Sequence, residues 1–170
     1  ERLARLDGLG RERAEAELLR ACGSRRWAAE MAAARPFASA DALFEAGDRV
    51  WRSLSVRDWQ EAFAAHPRIG SKRDVAAQPA STRSMADGEQ SGTRAASADT
   101  MAALAEGNLE YEKRFGHIYI VCATGKSADE MLAILRARLA NEPAAELEVA
   151  AEEQRKITRI RLEKMLQLRA

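Results

Sequence analysis

Apolar side chains recur along this chain with a helical period for most of its length. Residues 10–21 (GRERAEAELLRA) read as a helix, closed by Cys22-Gly23-Ser24. A second helix is predicted over 25–34, stopping before Pro36 because the residue preceding a proline avoids the α region. A third covers 40–53, with Leu43, Phe44, Val50 and Trp51 on its core side. Ser55, with Asp58 one turn on, opens a fourth that carries Trp59 and Phe63 and ends at His66-Pro67. The pattern then lapses. Residues 71–96 are small, polar and aperiodic, and so long an irregular stretch inside a domain is commonly functional.

Periodicity returns in a helix from Ser97 to Arg114, broken by Phe115-Gly116. Residues 117–123 (HIYIVCA) are a short apolar run with no second strand to pair with, so an extended crossing of the core is predicted there. Ser127 with Glu130 caps a helix over 128–140, whose apolar stripe is Ala128, Met131, Leu132, Leu135 and Leu139. Pro143 starts a last, long helix reaching about residue 168. The expectation is an all-α protein: one compact domain over residues 1–170, about seven to eight helices, and a short extended crossing segment.

Composition narrows the function classes. Apolar residues make up 46% and charged residues 31%, with Ala, Leu, Arg and Glu abundant, as a helical globular domain requires. A net charge of +1 creates no field for nucleic acid or an anionic membrane, and no apolar run is long enough to span a bilayer. Cys22 and Cys122 form no CxxC pair and read as reduced thiols. No signal peptide opens the chain and QLRA is no peroxisomal address, so a cytoplasmic protein is expected, and the Ala- and Arg-rich composition points to a bacterial-like source. Glu1 in place of Met leaves room for a short leader or tag.

Several familiar chemistries fail on spacing. ATGKS (123–127) looks like the end of a phosphate-binding loop, but Ile120 stands where the motif needs its first glycine. A glycine turn followed by a serine N-cap is the simpler reading. The two histidines, His66 and His117, have no partner at metal-ligand spacing, and no serine sits in a nucleophile elbow.

Three polar residues remain. Pro67 pushes His66 towards an extended conformation at a helix end, so the imidazole is displayed beside a stiff turn. It is either an acid–base group or a cap on the helix terminus. Glu89, in EQSG, is by itself an ordinary loop carboxylate. On the last helix Ile157, Arg161, Met165 and Leu168 share a stripe, while Glu152, Arg155, Lys156, Arg159 and Glu163 mark the solvent face. Arg161 thus needs an acidic partner or an anionic ligand, unless its head snorkels to water.

HPRIG (66–70), EQSG (89–92), NLEYEKRFGHIYIVCATGKSADEML, RLAN and EQRKITRIRLEKML together resemble the OHCU decarboxylase family. OHCU is 2-oxo-4-hydroxy-4-carboxy-5-ureidoimidazoline. The early segment CGSRRWAAEMAAARPF is similar as well, so the resemblance covers about residues 5–168. It implies an all-helical homodimer that uses no metal or organic cofactor and converts OHCU to (S)-allantoin in urate breakdown. It implies His66 as the catalytic histidine, Glu89 with Gln90 beside it, and Arg161 as the arginine of the last helix. Substrate contacts are implied at Pro67 and along Tyr119, Ile120, Val121 and Ala123, largely through backbone. Ala86 stands where the family often carries a small hydroxyl residue, with Ser84 nearby. Two other classes are weighed against this reading. A helical adaptor would show an apolar groove and no polar pocket, and an enzyme acting on a related ureido compound would differ in substrate competition.

Overall fold

The computed structural model describes residues 1–69 and 97–168. Among them are eight helices: α1 (Arg2–Asp7), α2 (Arg11–Leu19), α3 (Arg25–Ala33), α4 (Ala40–Ser53), α5 (Val56–Ala64), α6 (Ala98–Phe115), α7 (Ala128–Arg138) and α8 (Pro143–Met165). No strand occurs among the described residues, so the all-α expectation with an extended crossing holds. Helix α1 has no counterpart in the sequence-based expectation, and α7 and α8 end slightly earlier than periodicity predicts.

Helix starts follow local chemistry. The hydroxyl oxygens of Ser24, Ser39, Ser97 and Ser127 each accept from the backbone N–H three residues on, satisfying a donor that the first helical turn leaves open. At α5 the box is reciprocal: Ser55 Oγ accepts from Asp58 N, and Asp58 Oδ2 accepts from Ser55 N at 3.2 Å. Gly116 ends α6 at φ 76, a left-handed position that glycine occupies without strain.

The chain groups into two compact units, Glu1–Ala62 with the chain from Arg155 onward, and Phe63–Gln154. In the first, α3 packs on both α2 and α4 around Leu18, Trp27, Met31 and Leu43, all fully buried. Trp27 Nε1 donates to the Gly47 carbonyl at 3.1 Å, and Trp59 Nε1 to the Trp51 carbonyl at 2.9 Å, so both indoles bury their rings with the N–H satisfied. Leu43, Phe44 and Trp51 are core residues as predicted, while Val50 is only half-buried. In the second unit α6 packs on α7. Its core gathers Ile69, Leu104, Tyr111, Tyr119, Val121, Ala123, Met131 and Leu135. Among the described residues no helix is long and apolar enough to cross a membrane.

Candidate active site

His66 follows the last turn of α5, where its backbone N–H donates to the Phe63 carbonyl at 3.1 Å. Pro67 behind it is buried and the imidazole is half-buried. Nε2 of His66 lies 2.5 Å from Oε1 of Gln154, a fully buried residue of α8. The next residues are anchored as firmly. The Arg68 fork makes two 2.8 Å bonds to the Glu112 carboxylate, and the Ile69 carbonyl accepts from Asn108 Nδ2 at 3.3 Å. Within this unit, therefore, side chains of α6 and α8 hold the turn that presents His66, in place of a helix or sheet ladder.

The same unit contains the crossing segment. Tyr119, Ile120, Val121, Cys122 and Ala123 are all buried and belong to no helix. Buried backbone groups need partners, and here side chains supply them. Arg138 Nη1 donates to the Ile120 carbonyl, Cys122 N donates to Glu153, and Lys126 Nζ donates to the Cys122 carbonyl at 2.8 Å. Gly125 at φ 79 makes the turn that precedes the Ser127 cap. ATGKS is thus a glycine turn with a capping serine, and its lysine is tied to the backbone. Ile69 shares a hydrophobic cluster with Tyr119, Val121 and Ala123, so the end of the His66 turn and the crossing segment meet in one core.

Arg138 is itself part of a buried polar group. Its guanidinium and the Tyr111 hydroxyl both donate to Glu146, which is fully buried and also accepts from Asn141 Nδ2 at 2.9 Å. Arg138 lies 4.9 Å from the centre of the Tyr119 ring, a cation–π distance. Burial, then the Glu146 carboxylate, drive the Tyr111 phenol well above the ordinary tyrosine range. Burial raises Tyr119 likewise, and its hydroxyl donates to the Met131 carbonyl at 2.9 Å. The Tyr119 side chain is therefore committed to the fold.

In the first unit, Arg161 is 1% exposed, which rules out snorkelling and places the guanidinium inside the protein. It acts electrostatically on Cys22, whose thiol burial pushes up to about 11, so that thiol is inert. The solvent face predicted for the last helix needs correction. Glu152 and Lys156 are exposed, but Arg155, Arg159 and Glu163 are half-buried: Arg155 pairs with Asp48 at 3.2 Å, and Arg159 lies 4.4 Å over the Phe44 ring. The predicted stripe also ends early, with Leu168 exposed. Glu89, Gln90 and Ala86 lie outside the described residues. Three or more His, Cys, Asp or Glu side chains disposed to hold a metal occur nowhere among the described residues.

Sequence reasoning missed Gln154, Arg138 and Glu146. Only Gln154 sits in a strongly polar run; Arg138 lies at helical spacing from Met131 and Leu135, Glu146 from Ala150 and Gln154 from Ile157, a signal that could have found them.

Known proteins carry the same pattern. A profile of the OHCU decarboxylase family matches residues 7–163. The chain is 39% identical over 144 residues to the uric acid degradation bifunctional protein TTL of Arabidopsis thaliana, covering 85% of this chain but only 44% of that protein's length. It is 32% identical to the 2-oxo-4-hydroxy-4-carboxy-5-ureidoimidazoline decarboxylase of Amia calva, covering 82% of this chain and 79% of that one. The crystal structure of an OHCU decarboxylase in the presence of (S)-allantoin superposes with a TM-score of 0.77 at 37% identity, covering 89% of this chain and 98% of that one. An (S)-allantoin synthase shares the fold, with a TM-score of 0.69 at 18% identity, 96% of this chain and 53% of that one being covered. This chain belongs to the OHCU decarboxylase family, a family of carboxy-lyases.

Proposed function

We propose that this chain releases CO₂ from OHCU to give (S)-allantoin, using His66, Glu89 and Arg161 and neither metal nor organic cofactor. The family match carries this reading, because it runs through the His66 turn, the EQSG segment and the last helix at once. Burial of Arg161 and the rigid presentation of His66 support it.

The substrate holds a carboxylate and a hydroxyl on one ring carbon, beside a C=N bond. When the bond to the carboxylate breaks, its electron pair forms a C=C bond with the neighbouring carbon. The C=N pair moves to nitrogen, which takes a proton. The hydroxyl then loses its proton as the carbonyl forms, and the neighbouring carbon gains one on a single face. The substrate is its own electron sink, which is the task a cofactor performs elsewhere.

Protons and orientation are left to the protein. His66 takes the hydroxyl proton and returns one, a contribution of about 10²–10⁴-fold. Glu89, with Gln90 beside it, accepts hydrogen bonds from the ring and ureido N–H groups. Arg161 offers a planar fork to substrate oxygens without clamping the departing carboxylate, since tight ground-state binding would slow its loss. Pro67, Ala86 and the backbone of Tyr119, Ile120, Val121 and Ala123 line the pocket, and their apolar surroundings help strip water from the carboxylate. The working form in this reading is a cytoplasmic homodimer that binds neither nucleic acid nor membrane.

OHCU decays spontaneously to racemic allantoin, so product chirality is the test. Circular dichroism should show accelerated decay with an excess of the S form. His66→Asn should lose about 10²–10⁴-fold of the acceleration while keeping its helical spectrum. Racemic product at the uncatalysed rate from the unmodified protein would end the proposal.

A further inference from the structure

Gln154 has no part in the chemistry above, yet it makes the 2.5 Å contact to the His66 ring. We propose that Gln154 is the positioning residue of His66: it fixes the imidazole orientation with the proton on Nε2. The proposal rests on the reading of His66 as the acid–base group.

The geometry carries it in three steps. A neutral imidazole has one N–H and one lone pair, and an amide oxygen only accepts. A hydrogen bond between Nε2 and Oε1 therefore requires the proton on Nε2, and the basic lone pair falls to Nδ1. Second, Gln154 is the rigid partner. It is 0% exposed, inside the 23-residue helix α8, whereas His66 sits on a turn after α5. Third, the acceptor is neutral. A carboxylate in its place would orient the ring equally well but would hold a proton on it, favouring the imidazolium. An amide orients the ring without stabilising the imidazolium as a carboxylate would.

The test uses the full chain labelled with ¹⁵N, with the His66 ring signals told apart from those of His117 by a His66→Asn control. At a pH where the ring is neutral, long-range ¹H–¹⁵N correlations should report His66 protonated at Nε2. Gln154→Leu, checked for folding by circular dichroism, should lose that preference and lower kcat by about 10- to 100-fold, with KM changed far less, a smaller loss than removal of the acid–base group itself. Gln154→Glu keeps the shape and an acceptor oxygen, and should move the acidic limb of the kcat/KM profile upward by about one pH unit or more. A His66 ring protonated at Nδ1 in the unmodified protein overturns the proposal, as does a folded Gln154→Leu protein with its tautomer unchanged. If the tautomer responds while turnover does not, the positioning contact stands and the catalytic reading of His66 falls.

Discussion

The helices and the crossing segment solve one problem in opposite ways. Each helix satisfies its own backbone, and a serine such as Ser24 or Ser127 completes the open end. Residues 117–123 run through the core with no ladder, so their backbone groups depend on Arg138, Glu153 and Lys126. A helix thus tolerates the loss of one side chain, whereas the crossing segment stands on a few charged groups, of which Arg138 is buried and Glu153 and Lys126 are half-buried. The segment sits beside the His66 turn in one hydrophobic cluster, so its anchoring is a condition for any site built there.

The largest expected effect comes from removing the main anchor. Arg138→Met leaves the fully buried Glu146 carboxylate without its cation and the Ile120 carbonyl without its donor. Breaking a buried pair from one side costs about 3–5 kcal/mol. Adding Glu146→Leu should recover much of that loss, because the stranded charge goes with it. Urea denaturation of the single and double variants measures both. A single-variant loss below about 1 kcal/mol would mean that the segment holds itself in place and the contrast with the helices is wrong.

A smaller effect sharpens the comparison through pH. Tyr111 and Tyr119, which brace the crossing segment, keep their protons in the folded protein well above the ordinary value of 10.0. Their stabilising contribution is complete below pH 10 and is lost as pH rises through the folded values, since the unfolded chain then binds fewer protons. Each tyrosine should lower stability by about 1.4 kcal/mol per pH unit in that window. In the helical frame Cys22 behaves similarly, between 9.0 and about 11. Melting curves from about pH 8 to about pH 11 should therefore fall in two stages, and Cys22→Ala should remove the earlier one. A flat profile across pH 10 would place the phenols in water.

Legibility in the sequence follows the same division. A helix announces itself by a period of 3.6 residues and, in α3 to α7, by a capping serine, so α2 to α8 could be placed from the sequence. Helix α1 could not. Its six residues are too few for periodicity, and it is held from outside by Arg35, whose Nη1 donates to the Leu6 and Leu9 carbonyls at 2.8 Å. His66 was visible because proline constrains its neighbour, and Arg161 because it interrupts an apolar stripe. Gln154, Arg138 and Glu146 went unread although each lies at helical spacing from core positions, because the partner that turns a polar side chain inward does not show in its own segment. The half-buried Arg155 and Arg159 were misassigned on the same ground.

The smallest effect concerns two glycines with opposite expected signs. Gly47 lies inside α4, and a Cβ there would meet Leu162 at 3.5 Å, Trp27 at 3.6 Å and Met31 at 3.8 Å, which is ordinary contact. Its carbonyl still accepts from Trp27 after substitution, because that bond belongs to the backbone. Gly47→Ala should therefore stabilise by about 0.5–1 kcal/mol, the helix-propensity difference, seen as a rise in Tm of about 1–4 °C. Gly107 is also helical, within α6, but a Cβ there would lie 2.6 Å from a methyl of Leu135 and 3.4 Å from its Cγ. Leu135 is fully buried in the cluster that contains Tyr119 and Val121, so its methyl has nowhere open to swing. Overpacking costs about 1–3 kcal/mol, which exceeds the propensity gain. Gly107→Ala should thus lower Tm while Gly47→Ala raises it. Equal gains at both positions would mean that the core around the crossing segment yields as easily as the helical frame, and the rigidity attributed to its anchors would have to be given up.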